Sequence, residues 1–212
     1  MSISALKSVS NFFVEALTPS WMKKRMAQAR VLTEEQRWAL AAAAQLTALN
    51  QDSHETLNPD PAKDSADWGM ALDSWWEAFD RADLLEQLGA LRQSGHRVDL
   101  RDVLGHDVLA WDYVRLINVA RWGYGARYLQ EDEAWSHILD ATGQLRGRYA
   151  SWSDLAHDYV LGHDAWAGGP DARLEQATAK LLDPGNKESP WNQVGWASLL
   201  ISAEVSDGKM AG

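Results

Sequence analysis

The sequence predicts an all-α fold, a compact multi-helix domain of about seven to nine helices around a buried central helix, with an N-terminal helical arm. Three observations predict it. Apolar residues recur at helical spacing along most of the chain, alternating strand patterns are almost absent, and the stretch WDYVRLINVARWGYGARYL at residues 111–129 is apolar nearly all round, as expected of a helix surrounded by others.

The elements follow in order. Leu6, Val9, Phe13 and Leu17 form one apolar edge of a helix that Pro19 ends, and Ser20 caps a short helix through Met22, Met26 and Ala29. Thr33 and Gln36 have capping-box spacing ahead of an alanine-rich run, which places a helix at about 34–49. Residues 50–67, polar and holding Pro59 and Pro61, read as a loop. Residues 68–79 are helical and tryptophan-rich. Asp80 caps a helix that buries Leu84, Leu88 and Leu91 and stops at Gly95. A short helix near 99–108 precedes the central one at about 108–128. The next begins at QEDEAW with an acidic first turn, which the helix dipole favours. Ser151 and Asp154 open another helix, the Gly-Gly-Pro at 168–170 breaks it, and a last one covers about 171–182. In the polar tail beyond, Trp191 and Trp196 are the docking points. The expected organisation is a basic arm over 1–30, a helical domain over 31–196 and a tail over 197–212.

Composition narrows function. The 212 residues include no cysteine, so disulfides, thiolate metal sites and cysteine nucleophiles are excluded. Twelve tryptophans are more than a core of this size needs, which leaves one or two for a surface. The net charge of −10 opposes a nucleic-acid-binding role. Residues 1–30 nonetheless hold Lys7, Lys23, Lys24, Arg25 and Arg30 against Glu15 alone. The longest apolar run, WALAAAA at 38–44, is far too short for a membrane span, and no secretory signal is evident, so a cytoplasmic location is expected.

The central helix carries the candidate site. At about 100° per residue, Trp111, Arg115, Asn118 and Trp122 share one stripe roughly 60° wide. Two readings stand. In one, Arg115 is the hub of a buried polar network, neutralised by an acid, with Asp73, Glu77, Asp158 and the neighbouring Asp112 as candidates, while Asn118 ties down a loop carbonyl. In the other, Arg115 and Arg121 face a cleft and bind an anionic group framed by Trp111 and Trp122, with Tyr159 beside it.

WDYVRLINVARWGYGARYL with the following EDEAW, together with LTEEQRWALAAAAQLTALNQDSHETL, SWWEAFDRADLLEQLGALRQSGHR, SWSDLAHDYVLGHDAW and SPWNQVGW, resembles the bacterial domain-of-unknown-function family 1266 over about residues 32–196. The resemblance implies a mostly helical bacterial domain and no established activity. It carries over Trp111, Asp112, Arg115, Asn118, Arg121, Trp122 and Gly123, a second motif at Gly95, His96 and Arg97, and a third at Ser151, Trp152, Tyr159, Leu161 and Gly162. The chain departs from the pattern at Gln130, where Ser or Thr is expected, at His163, where Arg is expected, and at the Ala-Gly-Gly of 167–169.

Other constellations read as structure. His157 and His163 lie about 120° apart on one helix, poor spacing for one metal, so no metal is called. Ser151 reads as a cap, His96 as a residue at a helix end, and Glu77 with Asp80 as a solvated residue and a cap. No nucleotide-binding loop or nucleophile elbow is present, and no cofactor or catalytic residue is implied. The leading expectation is a non-enzymatic interaction domain that binds another bacterial protein, plausibly basic, as an adaptor or a toxin-neutralising partner. The binding candidates are Trp111, Asp112, Arg115, Asn118, Arg121, Trp122, Trp152, Asp158 and Tyr159. The alternatives are an enzyme or small-anion binder with its pocket at Arg115 and Arg121, and a structural homo-oligomer assembled through residues 1–30.

Overall fold

The structure, a computed structural model, describes residues 31–198. The helices expected in the arm at 1–30, and the tail beyond residue 198, lie outside the described residues. Every regular element among the described residues is helical.

Helix α1 (Glu34–Ala42) opens on the expected capping box: Gln36 N–H donates to Thr33 Oγ1 at 3.1 Å and Thr33 N–H to Gln36 Oε1 at 3.0 Å. The single helix expected over 34–49 is broken. At Ala43 the backbone turns to φ −94°, ψ 12°, and the chain continues as α2 (Ala44–Asn50). At the break the indole N–H of Trp191 donates to Ala41 O at 2.7 Å. A donor from another element inserted at the helix ladder is a recognised cause of a kink, and nothing in the alanine run forecasts it.

Helix α3 (Ser65–Trp76) is capped by Asp64, whose carboxylate accepts from the N–H groups of Ala66 and Asp67. Helix α4 (Arg81–Gln93) is capped likewise by Asp80 and buries Leu84, Leu88 and Leu91. Helix α5 (Arg97–Leu104) follows at once. Between α4 and α5, Gly95 has φ +55°, a left-handed turn that suits glycine. A Cβ there would also lie 1.8 Å from the Asp112 carboxylate, so glycine is needed for space as well.

Helix α6 (Leu109–Gly125) is the central one. Every helix from α1 to α5 packs against it, as do α7 (Glu131–Arg148) and α8 (Trp152–Ala167). Val114, Leu116, Ile117, Val119 and Ala120 are sealed from solvent all round the helix, as its sequence requires. α8 approaches α6 closely because Gly162 has no side chain: a Cβ would stand 2.4 Å from that of Trp111. Ser151 caps α8 through Asp154 N–H at 3.0 Å. Gln130, lacking the usual hydroxyl, is compensated at α7 by Glu133, whose carboxylate accepts the Gln130 N–H at 2.8 Å.

Helix α9 (Ala172–Leu182) packs on α2 and α8 and leads to one further turn, α10 (Pro190–Gln193). From there Trp191 and Trp196 dock on α1 and α8. Trp38, Trp152, Trp191 and Trp196 form one aromatic cluster, with Trp152 stacked on Trp191 at 5.8 Å. Three of their indole N–H groups are spent on carbonyls, those of Trp38 on Trp196, Trp152 on Val194 and Trp191 on Ala41.

Candidate functional site

The nine candidate residues do not share one site. The structure distributes them over four places, three of them polar.

The first centres on Asp112, which is wholly buried. One carboxylate oxygen accepts from Arg115 Nη2 at 2.5 Å and from the His96 backbone N–H at 3.1 Å. The other accepts from Arg97 Nη1 at 2.8 Å and from the Arg97 N–H at 3.0 Å. Asp112 therefore supplies the start of α5 with the anion that a helix N-terminus favours. Arg97 is itself pinned: Nη1 donates to Leu91 O at 2.6 Å and Nη2 to Arg92 O at 2.8 Å, so a cation satisfies the last carbonyls of α4. The Gly95-His96-Arg97 motif and the Trp111-Asp112-Arg115 motif are thus halves of one joint. Arg115 is indeed sequestered, at 7% exposure, but its acid is Asp112 one turn back on the same helix rather than one from elsewhere in the chain. Its guanidinium lies 4.0 Å from the Trp111 ring centre and 5.6 Å from that of Trp76. Burial pushes its pKa down, and Asp112 opposes that. Tyr159 packs on Trp111 at 5.4 Å, and burial raises its phenol.

The second place is the loop at 51–63. Arg121, completely buried, turns towards it and away from the Asp112 joint. Nη2 donates to the carbonyls of Ser53 and Thr56, Nε to Leu57 O at 3.4 Å, and Nη1 to Thr47 Oγ1 at 3.0 Å. The work of tying down loop carbonyls, expected of Asn118, falls to Arg121. Asn118 instead donates to Val114 O on its own helix and accepts from the Thr47 hydroxyl. Trp122 donates to Asp52 at 3.3 Å. Burial lowers Arg121 to about 10, which leaves it charged at neutral pH, and burial also raises Asp52.

His54 sits in this loop with its Nδ1 buried and unpartnered. Burial, assisted by Arg121, lowers its pKa to about 4. An unfolded histidine titrates near 6.5. The unfolded chain thus binds more protons below that value, so the stability tied to neutral His54 is complete above about pH 6.5 and is lost as pH falls towards 4. The urea midpoint of His54→Asn should fall less steeply between pH 7 and 4.5 than that of the wild type. Parallel slopes would contradict this assignment.

The third place is Asp158 on α8. It accepts from the Ala110 N–H at 3.2 Å and from the Tyr149 hydroxyl, which in turn accepts the Ala110 N–H at 2.8 Å. Val108, the residue preceding α6, offers no side-chain cap, so Asp158 and Tyr149 cap the central helix from a distance. His106 closes the group, its Nε2 3.3 Å from Asp158. Burial, with the Asp158 contact, raises the Tyr149 phenol. Trp152 belongs to the tryptophan cluster described above, the fourth place.

Residues passed over by the sequence reading form a different kind of surface. Met70, Trp75 and Phe79 are 61%, 77% and 64% exposed. Met70 and Phe79 line an open groove of about 360 Å³ with Ser65, Ala66, Gly69, Asp73 and Tyr128. Tyr128 shapes its floor by donating its hydroxyl to Phe79 O at 2.8 Å. The tryptophan density of 68–79 was the available signal. Among the described residues no three His, Asp or Glu side chains are grouped to hold a metal ion, and no helix is long and apolar enough to cross a membrane.

These features define an all-α domain in which the charged residues of the central helix hold neighbouring elements together. Residues 100–196, a little under half of the chain, match the model of the family described as a protein of unknown function, DUF1266. The matched stretch is shorter than the 32–196 that the sequence resemblance suggested, and Gly95–Arg97 fall just outside it. No curated protein and no solved structure matches the chain.

Proposed function

We propose that this is a non-enzymatic protein-interaction domain whose docking face is α3 with the turn into α4, and whose partner presents a basic segment with apolar anchors, in the manner of an adaptor or a neutralising partner. The observation that carries the proposal is the coincidence of exposed apolar side chains with concentrated negative charge. Met70, Trp75 and Phe79 stand in solvent. The stretch 64–86 holds the carboxylates of Asp64, Asp67, Asp73, Glu77, Asp80, Asp83 and Glu86 against Arg81 alone. Arg81 is moreover engaged by Glu133 at 2.5 Å. Large apolar side chains in solvent are disfavoured unless covered part of the time, and aromatic residues dominate interface energetics. The acidic surround selects lysine- or arginine-bearing partners and speeds their encounter.

The test uses a synthetic amphipathic lysine–leucine helical peptide and its glutamate–leucine counterpart, titrated by fluorescence anisotropy. The wild type should bind the basic peptide only, and Phe79→Ser and Trp75→Ser should each weaken binding about tenfold or more, with unchanged circular dichroism. Equal affinity for both peptides, or no effect of either variant, overturns the proposal. So does a dimer in sedimentation that the same two variants dissociate, since the face would then belong to a second copy.

A further inference from the structure

We propose that Arg115, together with Trp111 and with Trp76 at the C-terminal end of α3, forms a binding site for a small oxyanion, a carboxylate or a phosphate. Arg97, Arg101 and Arg115 share two carboxylates: Asp112 bonds Arg97 and Arg115, and Asp107 lies 3.6 Å from Arg97 and 3.0 Å from Arg101. Within these ion pairs three guanidinium groups meet two carboxylates. Asp112 has no capacity left, since each of its oxygens already accepts two N–H donors. Asp107 accepts from Arg101 through Oδ2, while its Oδ1 lies 3.6 Å from Arg97 Nε and makes no hydrogen bond.

The open valence lies on Arg115. Its Nε is spent on Trp111 O at 2.8 Å and its Nη2 on Asp112. Nη1 makes no hydrogen bond within the described residues, yet it is not among the polar atoms sealed from solvent without a partner. It therefore presents N–H donors to the outside from a side chain otherwise held rigid. A second donor in the same cluster is unused: Trp111 Nε1 is buried and has no partner, although the residue is only 4% exposed. An indole N–H left unpaired in a protein interior is costly and calls for an acceptor.

The surroundings fit a small anion. The rings of Trp76 and Trp111 flank the guanidinium, and Trp166, 55% exposed, lies 5.6 Å from Trp111 with the His96 ring at 6.2 Å from it. Such walls lower the local dielectric and strengthen a charge-assisted hydrogen bond to an oxyanion, while the fixed fork of the guanidinium matches carboxylate and phosphate oxygens.

The experiment is a titration of the ¹⁵N-labelled protein with sodium phosphate and, separately, sodium acetate, at constant ionic strength held with chloride. The readouts are the Trp111 indole N–H and Arg115 Nε–H resonances. A saturable shift of both with either salt supports the site, phosphate alone or acetate alone naming the preferred oxyanion. No shift, or a non-saturating drift common to all indoles, overturns it. Arg115→Lys should weaken binding at least tenfold while keeping the dispersion of the other indole signals. Should that variant unfold, Trp76→Ala, which leaves the Asp112 contacts intact, should weaken binding several-fold, and unchanged affinity there overturns the proposal.

Discussion

Asp112→Ala is expected to remove about 3–5 kcal/mol of stability, the range for breaking a buried ion pair from one side. The carboxylate accepts from two guanidinium groups and two backbone N–H groups at once. Its loss leaves Arg115 buried without its acid and Arg97 with only Asp107 at 3.6 Å, and strips the start of α5 of its anion. Urea denaturation followed by circular dichroism measures the effect. A loss below about 1 kcal/mol would show that water replaces the carboxylate readily and that the joint is not what holds α5 to α6. Asp112→Asn is a finer probe. It keeps the shape and one acceptor oxygen, so it should fall between the wild type and alanine.

Arg121→Ala is expected to have an effect of similar size, about 3–5 kcal/mol, by a different route. Arg121 touches no carboxylate; its donors go to the Ser53, Thr56 and Leu57 carbonyls and the Thr47 hydroxyl. Removing them orphans several acceptors at once inside a loop that has little regular structure of its own. The variant should therefore be cut by a broad-specificity protease within residues 51–63 well below its global unfolding midpoint, where the wild type is resistant. Arg121→Lys should be cut there too, because one ammonium cannot serve carbonyls spread over three residues. An unaltered cleavage pattern in both variants would refute this role.

The helical class and most helix starts were legible in the sequence, for a local reason. Thr33, Asp80 and Ser151 cap helices through atoms two or three residues away, so their spacing carries the information. The burial of Arg115 was legible too, because a helix apolar on every side leaves no wet face. What was not legible depends on contacts between distant segments. The break at Ala43 answers to Trp191, 150 residues away from Ala41, its hydrogen-bond acceptor. Asp112 stood among the candidate partners of Arg115 as its near neighbour, but that the same carboxylate also takes the α5 amides follows from the turn at Gly95, which spacing alone does not disclose. One of the two readings of the central helix put Arg121 and Arg115 in one cleft. They are six residues apart and so face different neighbours, which the helical angle itself implies. Which of the twelve tryptophans would stand in solvent, as Trp75 does, was not legible, since nothing in a residue type tells an anchor inside from one outside.

The clasp between α1 and the tryptophans at 191 and 196 bears on how the polypeptide matures during synthesis. Its hydrogen bonds join residues 150 and 158 positions apart. The helix translated first among these elements must wait for partners translated last, so until residue 196 clears the ribosome Trp38 lacks the carbonyl that its indole needs. A nascent chain stalled before that point would present an alanine-rich helix with an uncovered indole to whatever chaperone is at hand.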